Sequence, residues 1–148
     1  MKKIIKILLI IFWMILIYSF SNQNGAVSSD MSGGIVDNIV SLLEKLGIVF
    51  NDKMIDVFGL IIRKLAHFTL YFILGILWLW LLGDYSISFR LQVIYTIIFC
   101  ILYACSDEIH QLFVSGRDGK LFDVIIDTIG SISSCIYIYI FRKFRKTL

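Results

Sequence analysis

Arg63 and His67 stand four residues apart, as do Tyr103 and Asp107, Asp107 and Gln111, and Asp123 and Asp127, while His110 follows Asp107 by three. On a helix each of these pairs shares a face. Three kinds of chemistry use such side chains. Imidazole titrates nearest neutrality, so His67 or His110 is suited to carry a proton, with Asp107 or Glu108 to orient it and Asp123 close by in type and placement. Arg63, Lys64 and Arg117 suit a phosphate or carboxylate, which a guanidinium grips as a fork and an ammonium as a point charge. Gln23, Gln111 and Asp127 would complete that ligand-binding set. A divalent cation could draw on Asp107, Glu108, His110, Asp123 and Asp127, but the chain has no HExxH, paired CxxC or EF-hand loop, so neither metal nor cofactor is expected. The plain alternative is structural, with Arg63 and Arg117 pairing with Asp107, Asp123 and Asp127 to hold helix ends together.

These groups are conspicuous because the rest of the chain is so apolar. Of 148 residues 59% are hydrophobic and 17% charged, there is no proline, and the mean hydropathy is +0.88. A soluble domain has about 45–50% apolar and about 25% charged residues. The composition therefore excludes a soluble single-core domain and disorder, and three cysteines are too few for a disulfide-stapled module. A membrane helix needs about 20 mostly apolar residues. Residues 4–20, 65–82, 91–110 and 121–141 each meet that requirement. Lys2-Lys3 ahead of an apolar run has the layout of a signal peptide, yet no small-x-small cleavage site follows Tyr18-Ser19-Phe20, so a retained helix is expected.

Charge gives an orientation. Lys2, Lys3, Lys6, Arg142, Lys143, Arg145 and Lys146 hold half of the fourteen basic residues, so between the tails the eleven acidic residues outnumber the basic ones. Basic flanks stay cytoplasmic. Two basic tails on one side require an even number of crossings, which predicts a multi-pass cell-membrane protein with both termini cytoplasmic. All the polar groups named above then fall in the outward half of a four-helix bundle. A central charge in a span costs about 2.5–3.5 kcal/mol on insertion scales, so such groups face a bundle interior or water.

The stretch between the first two spans is expected to be helical as well. After Ser32-Gly33-Gly34, Ile35, Val36, Ile39, Val40, Leu43 and Leu46 form an apolar stripe opposed by Asp37, Asn38, Ser41 and Lys45, with Gly47 as a stop. A further helix starts at Asn51-Asp52 and runs unbroken through Arg63 into the second span. The predicted fold is all-α, one domain over residues 1–148, with four transmembrane helices and one or two amphipathic helices on the outer side. Cys100, Cys105 and Cys135 read as inert small side chains, and Trp13, Trp78 and Trp80 as lipid or interface residues. Gly130, Ser131, Ser133 and Ser134 read as sites of close helix contact. Nothing beyond the short basic tails points to nucleic acid, and none is expected as a partner.

Taken in order, Ser19-Phe20-Ser21-Asn22-Gln23, Arg63-Lys64-Leu65-Ala66-His67-Phe68 with Tyr71 and Gly75, Asp107-Glu108-Ile109-His110-Gln111 with Gly116-Arg117, and Asp123-x-x-x-Asp127-x-x-Gly130 resemble the VanZ-like family, from about Trp13 to Tyr139. The resemblance implies a small multi-spanning protein of the bacterial cell envelope. The family's founding member is associated with resistance to the glycopeptide teicoplanin. It names a setting and not a reaction: a membrane lipid or lipid-linked cell-wall precursor becomes the expected partner, bound or modified at the outward cluster. A non-catalytic scaffold and a small transporter are the competing classes. One position departs from the family pattern, which often carries Asn where this chain has Asp127; the carboxylate adds a charge and favours cation binding.

Overall fold

The computed structural model describes residues 2–147, which form five helices: α1 (Lys2–Ser21), α2 (Gly25–Glu44), α3 (Asp52–Leu82), α4 (Phe89–Gln111) and α5 (Leu121–Thr147). Four of them, all but α2, are long and apolar enough to cross a membrane. Helices satisfy their own backbone polar groups, which a single strand in hydrocarbon cannot. Asn51 caps α3 by accepting a hydrogen bond from the Met54 amide, and the helix then runs through Arg63 into the second span as expected.

Three boundaries differ from the sequence expectation. The helix expected after Gly33-Gly34 begins ten residues earlier, because Asn24 caps it through the Val27 amide and the glycines do not break it. A Cβ at either glycine would meet nothing, so these positions lie on an open helix surface. The fourth span extends beyond 141 to Thr147 and the first begins at Lys2. Gly47, with φ of 85°, adopts the left-handed conformation just past α2, as a stop residue should.

Contacts along the bundle give the helix directions. α1 opposes α3, since Lys6 reaches Trp80 and Asp84 while Trp13 reaches Leu70. α4 runs parallel to α1, joined where the Tyr103 hydroxyl donates to the Met14 carbonyl at 2.7 Å. α5 runs parallel to α3, with which it shares the most extensive contact of the fold. The start of α1 and the end of α5 therefore lie at one end, together with the turn between α3 and α4. The opposite end gathers the start of α5, the end of α4 and the middle of α3.

The α5 helix is patterned inside out relative to a soluble helix. Asp123, Asp127, Ser131 and Ser134 are buried, whereas Ile125, Ile129, Ile132 and Ile136 are exposed. Lipid is as apolar as isoleucine, so small and polar residues rather than aliphatic ones mark the contact face. Rotating α5 by half a turn would place two aspartates in lipid at a cost of about 5 kcal/mol or more. Gly130 and Gly75 make the approach possible: a Cβ on Gly130 would collide with the Phe68 carbonyl, and one on Gly75 with the Ser134 hydroxyl. Ser131 and Ser134 lie in this seam, while Ser133 is only half-buried and bonds the Ile129 carbonyl of its own helix.

Two of the tryptophans do more than face lipid. The Trp13 indole donates to the Leu70 carbonyl at 2.9 Å, and Trp78 packs on the core against Phe99. Trp80 is exposed, beneath the Lys6 ammonium. Cys100 and Cys135 are buried and Cys105 half-buried, all three free. At the terminal end the buried Lys6 Nζ holds Asp84 Oδ1 at 2.7 Å and the Trp80 carbonyl at 2.8 Å. Lys6→Met should lower stability by about 1–2 kcal/mol by leaving both acceptors without this donor. Thermal unfolding in detergent checks this; an unchanged midpoint would mean that water serves Asp84 equally well.

Candidate functional site

Along α3, Arg63, His67 and Tyr71 recur every four residues, and all three line a cavity of about 490 Å³ between α1, α2, α3 and α4. Gln23, Asp107, Gln111 and Arg117 also line it, together with Ser21, Ser28, Ser32 and Thr69. The rest of the wall is mainly apolar, with Ile17, Met31, Ile62 and Leu70 among its members. A cavity that is greasy over most of its wall and carries a few convergent polar groups is the form a small-molecule site takes. A second hollow of about 550 Å³ lies at the terminal end, lined by residues such as Ile7, Ile11 and Leu82 and by no charged group. Its polar side chains are confined to Trp78, Tyr85 and Tyr95.

The polar groups divide into those that border the cavity and those packed beside it. Lys64 pairs with Asp123, and neither lines the cavity. His67 does line it and also reaches α5, its Nδ1 standing 3.2 Å from Asp127 Oδ1. Asp127 is completely buried, and its Oδ2 has no hydrogen-bond partner. Glu108 is buried as well: Oε2 accepts from the Lys120 amide at 2.7 Å and Oε1 from Gln111 Nε2 at 3.2 Å. The same Gln111 nitrogen donates to Asp107 Oδ2 at 3.2 Å, so one amide bridges two carboxylates. One ring nitrogen of His67 and one oxygen each of Glu108 and Asp127 lie within 4.8 Å of one another.

The arginines choose other partners than the sequence suggested. Among the described residues neither Arg63 nor Arg117 forms an ion pair with Asp107, Asp123 or Asp127. The last carbonyls of a helix lack intrahelical donors and attract whatever cation can reach them. Arg117 does so for α1, its Nη2 donating to the Phe20 carbonyl at 2.8 Å and its Nε to the Gln23 carbonyl at 2.9 Å, while Nη1 reaches Gln111 Oε1 at 3.3 Å. Gly116, with φ of 72°, makes the turn that presents it. Arg63 turns toward α2, its Nη2 donating to Ser29 Oγ at 3.0 Å, and its buried Nε has no partner. Burial holds the Arg117 guanidinium below its ordinary pKa, and the nearby charge of Arg63 pushes the same way. Arg117 nonetheless remains a cation at neutral pH. The Arg117 charge is repelled by Arg63 and attracted by Asp107, Glu108 and Asp123.

His110 is not brought to this cluster. Its Nε2 lies 3.2 Å from Asn22 Oδ1, and its ring packs against Tyr18 at 4.8 Å. Residues three apart on a helix diverge by about 60° around the axis, enough to send Asp107 inward and His110 toward α1. Conversely, Tyr71 was singled out only as part of a family motif, yet it is fully buried, lines the cavity and has an unpartnered hydroxyl. Its place four residues beyond His67 was the signal available. Ser21 is buried in the same wall.

Against known proteins, the chain matches the VanZ/LLP1 family over residues 6–142. No curated protein and no solved structure matches it.

Proposed function

The chain belongs to the VanZ/LLP1 family, and from that premise we propose that it is a bacterial cell-envelope protein whose cavity binds an anionic, lipid-linked cell-wall component and thereby contributes to teicoplanin resistance. One observation carries this reading: the cavity joins an apolar wall to Arg63 and Arg117, neither of which forms an ion pair with a carboxylate among the described residues. A lipid phosphate has this composition, an apolar tail and an anionic head. The basic residues at the terminal end support an orientation with that end in the cytoplasm and the cavity in the outer leaflet. In this arrangement α2 and the first turns of α3 lie at the outer surface as amphipathic helices.

The test is teicoplanin susceptibility of a host expressing the wild type, Arg63→Gln, His67→Ala or Asp107→Asn at matched membrane levels. The wild type should protect and the variants should not. Arg63→Gln should also weaken binding of a lipid phosphate, followed by native mass spectrometry, by about 10- to 100-fold, the worth of one hydrogen bond to a charged group. A wild type without protection would remove the resistance reading.

A non-catalytic scaffold is the second reading, favoured by the Lys64–Asp123 pair that joins α3 to α5. Asp107→Asn separates the two. It keeps an acceptor for Gln111 while removing the charge, so a scaffold would tolerate it.

A further inference from the structure

We propose that His67, Glu108 and Asp127 bind a divalent first-row transition cation between α3, α4 and α5. The three residues come from three helices, are all buried, and bring their donor atoms within 4.8 Å of one another. In a tetrahedral site with ordinary metal–ligand bonds the donors stand roughly 3.5 Å apart, a closure within reach of side-chain rotation. One imidazole with two carboxylates suits zinc or manganese, whereas magnesium and calcium prefer oxygen alone.

Charge supplies an independent reason. Among the described residues the lysine and arginine ion pairs engage Asp84 and Asp123 only, and Glu108 and Asp127 have none. The single group within ion-pair distance of Asp127 is His67, which donates a hydrogen bond when neutral. A buried carboxylate oxygen without a partner is costly, and Asp127, with no exposed surface, leaves Oδ2 unbonded. With His67 neutral, Glu108 and Asp127 together carry the two negative charges that a divalent cation cancels.

The surroundings are those of a held ligand set. Metal-binding carboxylates are commonly fixed by outer hydrogen bonds. Glu108 has two, from the Lys120 amide and Gln111. Three protein ligands leave a coordination position for a molecule from outside the chain, and His67 is the member that borders the cavity. The site does not depend on the amphiphile reading, because Glu108 and Asp127 lie outside the cavity wall.

The experiment uses the purified full-length protein in detergent, stripped by chelator, equilibrated with Zn²⁺, Mn²⁺ or Mg²⁺ alone and assayed for bound metal. The expected result is about one Zn²⁺ or Mn²⁺ per chain, with Mg²⁺ far weaker. Glu108→Gln and Asp127→Asn should each weaken binding by about 10-fold or more, while Asp84→Asn at the opposite end leaves it unchanged. X-ray absorption of the zinc-loaded wild type gives a second readout that needs no variant: a shell of nitrogen and oxygen with an imidazole signature and no sulfur. Failure of the wild type to bind zinc or manganese would overturn the proposal, leaving protons to neutralise the carboxylates. So would full binding by both variants, or sulfur from Cys100 in the zinc shell.

Discussion

Gly130→Leu should be the most damaging single substitution in the protein, lowering stability by about 3 kcal/mol or more. The new Cβ alone would fall on the Phe68 carbonyl, with the Phe72 amide nitrogen 3.2 Å away. Both are backbone, so no rotamer change relieves the clash and α5 must move away from α3. That movement separates His67 from Asp127 and Lys64 from Asp123, the polar contacts for which α5 faces inward. Thermal unfolding and size-exclusion behaviour in detergent check the result. Gly75→Ala provides the contrast. It meets the Ser134 hydroxyl, the movable end of a side chain, so its effect should be smaller and largely reversed in Gly75→Ala/Ser134→Gly. Equal damage from both glycine substitutions would mean that the helix pair adjusts as rigid rods and the backbone contact is not decisive.

Arg117→Ala should cost about 3–4 kcal/mol, the second largest effect. The guanidinium ties the end of α1, the α1–α2 junction and the end of α4 through three donors on different nitrogens. Hydrogen bonds from charged groups contribute about 1.5–3 kcal/mol each, and three on one group do not add fully. The junction is close-packed as well as bonded: the Gly25 amide donates to the Ser115 carbonyl at 3.0 Å, and a Cβ on Gly25 would strike the Gly116 carbonyl. Arg117→Lys keeps the charge but lacks the fork, so it should recover less than half of the loss. Hydrogen exchange should show residues 20–25 and 112–117 opening together in Arg117→Ala. If Arg117→Lys matched the wild type, charge rather than geometry would be holding the junction.

The four spans were legible because hydrocarbon thickness and helical rise leave little freedom in their length, and the unbroken course of α3 followed from the Asn51 cap and the lack of proline. The start of α2 was hidden by Gly33 and Gly34, which read as a break although each merely lies on an open surface. At the site, four-residue spacing identified the shared faces of Arg63 with His67 and of Asp123 with Asp127. It could not choose partners. Arg117 looked like a carboxylate partner because the competing acceptors, Phe20 and Gln23, are backbone carbonyls that carry no sequence signal. The three-residue interval placed His110 with Asp107, and only the packing of α1 against α4 reveals which of the two turns inward. For Tyr71 the sequence offers motif membership and no role, since an unpartnered hydroxyl is a property of surroundings.

The parallel pairing of α3 with α5 has a consequence for biogenesis. Between the two, the ribosome must make all of α4, so α3 and α4 are complete while both aspartates of α5 are still missing. During that interval His67, Lys64 and Glu108 lack their partners or neighbours on the final helix. A nascent chain halted before Leu121 thus leaves Lys64 and His67 without their α5 partners, which makes it a substrate for membrane proteolysis rather than a partly working protein. α5, made after the other three spans, supplies the partners that hold their polar ends together, and chains shortened within it should be cleared rather than accumulate.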